Sequence, residues 1–209
     1  MIDYKKTQKE FYFPKTTPSV IEVPEMIFIM VDGQGDPNTS VAYQTAMELL
    51  YGLSYSIKMS KMGGAIPEGY FEYVVPPLEG LWWFKDGGEM DVSDKDRYCW
   101  TSMIRQPDFV TAEVFEAAKV ALAKKKQGLD LGQARLELLT EGLCAQVMHI
   151  GPYDDEPATI ARLYQFIGDS GYQADLSETR RHHEIYLGDP RKIAPEKRKT
   201  VIRYPIKKA

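Results

Sequence analysis

Apolar positions along the chain follow two rhythms, one of period two and one of period 3.6, and the switches between them mark out the elements. Residues 20–31, rich in Ile, Val, Met and Phe and broken by Pro24, read as a strand running into the turn Asp32-Gly33-Gln34-Gly35-Asp36-Pro37. A helix follows. Thr39 or Ser40 can cap it, and Val41, Ala42, Met47, Leu49, Leu50 and Leu53 keep helical spacing to about Met59, ahead of a stop at Gly63-Gly64. Residues 71–84 (FEYVVPPLEGLWWF) and 97–105 (RYCWTSMIR) read as strands, the first broken or held at an edge by Pro76-Pro77. An acidic loop from Asp86 to Asp96 separates them.

The second half starts with a helix over residues 111–127, with Thr111 as cap, Glu113 and Glu116 in its first turns, Lys124 to Lys126 in its last and Gly128 beyond. Residues 143–150 then read as a strand, 156–167 as a helix ended by Gly168, and 181–187 and 200–206 as strands. The first ~18 residues, basic and punctuated by Pro14 and Pro18, show no period and form an arm.

The two strand-to-helix junctions can be superposed, Pro37 falling on Pro157 and Thr39 on Thr159, an offset of 120 residues. This suggests a tandem of strand-helix-strand-strand modules. The expected organisation is one domain over residues 1–209, with an arm at 1–19, module one at about 20–108 and module two at about 109–209. Each module has one helix for a small antiparallel sheet, so the fold class is α+β, with the helices on one face and a ligand cleft on the other, related by a pseudo-twofold.

With 209 residues, 44% hydrophobic and 27% charged, the chain is globular rather than disordered or collagen-like. A net charge of -4 is the wrong sign for a dedicated nucleic-acid binder. Cys99 and Cys144 are too few and too far apart for a disulfide scaffold or a local zinc site, and read as reduced core thiols. No signal-peptide h-region opens the chain, and no run approaches the roughly 18 apolar residues that cross a bilayer. The expectation is a cytoplasmic protein with neither membrane nor nucleic acid as partner.

Candidate chemistry concentrates in the strands. Alternation over residues 182–187 puts His182, Glu184 and Tyr186 on one face and His183, Ile185 and Leu187 on the other, where the second set reads as core and the first as facing the cleft. A mid-strand carboxylate in an aromatic setting is suited to pairing with a cation or to accepting a proton, while its plainer reading is a strand residue bridged to Arg180 or Arg203. The three tryptophans Trp82, Trp83 and Trp100 lie in candidate strands with Tyr98 and Tyr186. Successive residues of a strand leave opposite faces, so at least one of Trp82 and Trp83 meets the cleft. In the turn 151–157 (GPYDDEP), Asp154 or Asp155 reads as a helix cap, leaving Glu156 and Tyr153 as further candidates. Neither Gly33-x-Gly35, nor His182-His183-Glu184, nor the acidic loop has the spacing of a phosphate, zinc or calcium site, so no metal or cofactor is expected.

Residues 24–38 (PEMIFIMVDGQGDPN), 79–83 (EGLWW), 100–107 (WTSMIRQP), 151–157 (GPYDDEP) and 182–187 (HHEIYL), five words in order across most of the chain, resemble the stand-alone bacterial members of the gyrase-inhibitor-like (GyrI-like) small-molecule-binding family. The resemblance implies the duplicated fold also used as the drug-sensing domain of multidrug-responsive regulators, where a buried glutamate and aromatic residues bind cationic or hydrophobic ligands. The expectation is a free-standing binder or enzyme, because there is no room for a helix-turn-helix before residue 20. Stand-alone members also include hydrolases that open the cyclopropane of DNA-alkylating compounds inside an aromatic cage. On that resemblance Glu184 is the pocket glutamate and Glu156 a second carboxylate. Trp82 or Trp83, Tyr98, Trp100, Tyr153, His182 and Tyr186 would then line the ligand, a small aromatic or cationic hydrophobic xenobiotic. A purely sequestering protein, or an inhibitor of a protein partner, are the other readings.

Overall fold

In a computed structural model, residues 1–63, 66–87 and 94–209 are described. The middle of the expected acidic loop, residues 88–93, and position 64 of the expected glycine stop lie outside them. Two compact units are formed. Unit 1 comprises Met1–Asp3, Met26–Pro76 and Phe84–Leu139, and unit 2 comprises Tyr4–Glu25, Pro77–Trp83 and Thr140–Ala209. These units cut the chain differently from a division at about residue 108, because residues 77–83 of the first half pair with strands of the second.

Unit 1 is built on β1 (Ser19–Gln34, of which Met26 onward belongs here) and β3 (Tyr98–Arg105), antiparallel with Phe28 opposite Arg105 and Gln34 opposite Cys99. Helix α3 (Val41–Lys58) is capped by Ser40, whose hydroxyl accepts from the Tyr43 amide, and buries Leu49, Leu50, Leu53 and Ile57. Helix α4 (Ala112–Lys125) is capped by Thr111 in the same way. Gly52 lets the two helices close together, since a Cβ there would stand 2.9 Å from Leu122 Cδ2. The strand expected over residues 71–84 is shorter. Pro76 and Pro77 withhold ladder donors, so β2 starts only at Leu78 (Leu78–Phe84), and Tyr73 makes an isolated bridge to Ile2 instead.

Unit 2 centres on β7 (Lys199–Lys208). It pairs antiparallel with β4 (Ala134–Ile150), with β6 (His182–Tyr186) and, at its end, with the short β5 (Tyr172–Ala174). Strand β2 adds to the far side of β6 with Gly80 opposite Glu184. The pleat then sorts the side chains. Ala145, Val147, Ile202 and Tyr204 share one face, where Leu163 and Ile167 of α5 (Glu156–Asp169) pack on them. Met148, Ile185 and Val201 share the other, covered by Tyr4 and Tyr12 of α1 (Tyr4–Thr7) and α2 (Lys9–Tyr12). The arm without sequence period is thus the second covering layer of the unit 2 sheet.

That second face is not purely apolar. His183, with no solvent exposure, lies 2.8 Å from Glu141 Oε1 and 2.9 Å from Glu79 Oε2. Arg203 donates to Glu141 Oε2 (2.7 Å), to Gln146 Oε1 (3.0 Å) and to the Phe11 carbonyl (2.8 Å), while Gln146 donates to the Glu10 carbonyl (2.7 Å). The Tyr12 hydroxyl reaches Glu79 at 3.3 Å. Burial raises the Glu141 carboxyl and lowers the His183 imidazole, but their mutual attraction, with Arg203 and Glu79, wins. Glu141 comes down to about 2 and His183 goes up to about 9. The arm is therefore anchored to a buried ion network that is charged at neutral pH.

Candidate functional site: a buried carboxylate pair

The opposite face of β6 carries His182, Glu184 and Tyr186, as alternation requires. They do not face away from the helix as expected. Strand β7 sets Ile202 opposite Glu184 and Thr200 opposite Tyr186, and Ile202 belongs to the cluster under α5. The site thus lies on the helix-covered face, beside the first turn of α5, because the arm occupies the other face.

Glu184 is held from several directions. His182 Nε2 lies 2.7 Å from its Oε1, and the Tyr186 hydroxyl donates to Oε2 at 2.7 Å. The Trp82 indole donates in turn to the Tyr186 oxygen at 2.9 Å. Gly80 makes this reach possible: a Cβ there would stand 2.6 Å from Trp82 Nε1, so only glycine leaves room for the indole to lie across β2 toward Tyr186. From the helix side Glu156, in the first turn of α5 and 5% exposed, meets Glu184 through a hydrogen bond. Tyr153 closes over the group edge-on to Tyr186, with ring centroids 5.7 Å apart, and carries Arg198 on its face at 5.3 Å. Tyr204 packs on His182 at 4.6 Å.

Two neighbouring carboxylates out of water cannot both hold a full charge easily. Burial raises both, but the donors His182, Tyr186 and Glu156 pull Glu184 below its ordinary value. Burial and the Glu184 charge together push Glu156 well above its own. The two carboxyls are thereby driven in opposite directions, Glu156 toward keeping a proton and Glu184 toward giving one up. Burial also pushes the Tyr153 phenol up to about 12, so it stays protonated. A hydrogen-bonded pair with its pKa values driven apart provides an acid and a base side by side.

Of the residues singled out from sequence, Trp82, Tyr153, Glu156, His182, Glu184 and Tyr186 assemble in unit 2. Trp83 leaves the other face of β2, with the Arg181 guanidinium 4.6 Å from its ring. Tyr98 and Trp100 belong to unit 1. Tyr98 stacks against Phe84 at 5.6 Å, and the buried Trp100 indole lies across Gly33 and meets Tyr43 edge-on at 5.0 Å. The alternative partners for Glu184 are engaged elsewhere, Arg180 with Asp175 and Arg203 with Glu141. Asp155 stands at the N-cap of α5 but makes no side-chain cap bond there, which corrects its reading as the cap. Gly80, Thr200 and Tyr204 were not foreseen. Only the strand register, read with β2 and β7 in place, brings them to the site.

Among the described residues no group of three or more His, Cys, Asp or Glu side chains could hold a metal ion, and both cysteines are buried and free. No described helix is long and apolar enough to cross a membrane.

An α+β fold of antiparallel ladders holding a buried glutamate among aromatic side chains defines a small-molecule-binding domain. Residues 16–207 match the GyrI-like small molecule binding domain, and the chain belongs to that family. It is similar to a hydrolase from Listeria innocua (49% identity, TM-score 0.90, 99% of this chain and 100% of that one). It is also similar to an uncharacterized conserved protein from the same organism (50% identity, TM-score 0.93, 99% and 100%). The EcmrR C-terminal domain shares the fold at 16% identity (TM-score 0.55, 92% and 98%). No curated protein matches the chain.

Proposed function

We propose that this protein is a hydrolase that binds a flat, conjugated small molecule and adds water to a strained electrophilic carbon in it, the cyclopropane of DNA-alkylating xenobiotics being the substrate class. The observation that carries the reading is the buried, hydrogen-bonded Glu156–Glu184 pair, with Glu156 pushed above and Glu184 held below the ordinary carboxylate value. The 49% identical hydrolase from Listeria innocua supports the reaction class.

In this reading Trp82, Tyr153 and Tyr186 offer aromatic surface to the ligand. Glu184 takes a proton from water as the water oxygen bonds to the cyclopropane carbon. The ring carbon–carbon bond breaks, and its electron pair passes through the conjugated system to an oxygen that becomes phenolate. That oxygen takes the proton of Glu156, and Glu184 returns the proton from water to Glu156 through their hydrogen bond. The sum is substrate plus one water. The Tyr186 hydroxyl is already directed at Glu184, which leaves Glu156 as the acid. A positioned base is worth about 10² to 10⁴ in rate.

The test is multiple turnover of a cyclopropane-bearing alkylator by the wild type and by Glu184→Gln, followed by liquid chromatography and mass. Turnover by the wild type and its loss in the variant, with binding kept, is expected. Equal turnover in both would reject the base; intact compound recovered with the wild type would make the protein a sequestering module instead.

A further inference from the structure

His149, at the end of β4, has no part in the chemistry above, yet it is buried and both of its ring nitrogens are engaged. The register sets it opposite Thr200, and Thr200 opposite Tyr186, so the three form a row across β4, β7 and β6 under α5. Nε2 stands 3.0 Å from the Pro152 carbonyl, which can only accept, so Nε2 carries the hydrogen. In the neutral ring Nδ1 is then an acceptor. The Thr159 hydroxyl, 2.9 Å away, donates to it while accepting from Arg162 at 3.2 Å. One imidazole thus grips two pieces of the site. Thr159 stands one turn along α5 from Glu156, on the same buried stripe of the helix. Pro152 leads into the turn Tyr153–Asp155, and its carbonyl also takes the Asp155 amide at 3.1 Å. Tyr153 and Glu156 lie between the two points held.

We propose that His149 is a positioning residue for the carboxylate pair. By tying the Pro152 carbonyl to Thr159 it fixes Tyr153 over the site and keeps Glu156 within hydrogen-bonding reach of Glu184. The inference rests on the reading of that pair as acid and base, and adds the residue that sets their spacing. A histidine that only fills the core needs room for its ring, which phenylalanine also fills. A positioning histidine needs the Nε2 donor, because that bond ties the sheet to the turn carrying Tyr153. Glutamine places an amide N–H near the position of Nε2 and keeps the tie. Phenylalanine removes it but leaves the Pro152 carbonyl to the Asp155 amide, so the turn is released without stranding a buried acceptor.

The experiment compares the wild type, His149→Phe and His149→Gln in two readouts, with thermal unfolding to verify that each is folded. Nitration of Tyr153 by tetranitromethane, followed by peptide mass, reads the position of the turn, and the buried Tyr12 and Tyr204 control for general loosening. The Tyr153 rate should rise about tenfold in His149→Phe, the loss of one well-made hydrogen bond, and stay within about threefold of the wild type in His149→Gln, with both controls unchanged. Turnover of the cyclopropane-bearing alkylator should follow it: kcat falls about tenfold in His149→Phe with KM within about threefold, and His149→Gln restores it. Equal Tyr153 nitration in the wild type and His149→Phe overturns the proposal. So does a rise shared by Tyr12 and Tyr204, which marks a core residue only, or an unchanged kcat in His149→Phe. If a His149 variant fails to fold, Thr159→Val against Thr159→Ser puts the same question from the other end of the grip, with the same outcomes. Absence of turnover in the wild type rejects the hydrolase reading, while the nitration contrast still decides whether His149 fixes the turn.

Discussion

Raising the pH should loosen the arm-covered face of unit 2 through a single imidazole. His183 is fully buried between Glu79 and Glu141, and Arg203 holds the other oxygen of Glu141. Burial by itself lowers the His183 pKa, but the two carboxylates outweigh it and lift the value from 6.5 to about 9. In the unfolded chain the same group titrates near its ordinary value. A group whose pKa is higher in the folded state contributes its full stabilisation below the unfolded pKa and loses it as pH climbs through the folded one. The window therefore runs from 6.5 to about 9. At 1.36 kcal/mol per pH unit it amounts to about 3 kcal/mol. For a chain of this size each kcal/mol moves Tm by about 2 to 4 °C, so a fall of roughly 6 to 12 °C is expected between pH 6.5 and 9.5. Thermal unfolding by circular dichroism, for the wild type and His183→Gln, measures it. The variant strands two carboxylates without their cation, so it should melt lower at pH 6.5 and lack most of the alkaline slope. Lysines and tyrosines titrate in both proteins, and the difference between the curves isolates His183. Parallel curves over that range would refute the reasoning.

Gly80→Ala should displace the Trp82 indole, whose Nε1 stands 2.6 Å from where the new Cβ falls, and break its bond to Tyr186. A loss of about 1 to 3 kcal/mol in denaturant unfolding is expected, and an unchanged midpoint would contradict it. Tyr186→Phe removes the donor on Glu184 Oε2, a hydrogen bond to charge worth about 1.5 to 3 kcal/mol. The acidic limb of the pH–rate profile should move up as Glu184 becomes easier to protonate; a limb that stays in place counts against Glu184 as the base. Trp83→Ala, on the face with Arg181, should leave ligand affinity within about twofold, while Trp82→Phe lowers it about tenfold. Equilibrium dialysis decides, and a reversed order would exchange their assignments.

Much of this was legible in the chain because strand alternation is a strict rule. It put His182, Glu184 and Tyr186 together and divided Trp82 from Trp83 without any fold in hand. It could not name which tryptophan faces the site, since that depends on the pairing of β2 with β6 and on Gly80 beneath the indole. Nor could it say which face the helix covers. His183 looked like a core residue beside Ile185 and Leu187, and it is buried, but in a charged network whose members Glu79, Glu141 and Arg203 come from three other strands. The arm has no period because two single-turn helices leave no room for one, and its anchoring relies on backbone carbonyls of Glu10 and Phe11 that carry no side-chain signature. Glu156 was visible as a carboxylate at a helix start, yet the burial and the neighbouring charge that raise its pKa belong to the assembled unit.

The most direct test of hydrolysis is to incubate a cyclopropane-bearing alkylator with the protein in water enriched in oxygen-18 and to determine the mass of the product. A ring-opened product carrying one heavy oxygen, formed in many equivalents per protein and absent with Glu184→Gln, is the expected result. Recovery of the compound unlabelled and intact after release from the protein would contradict it.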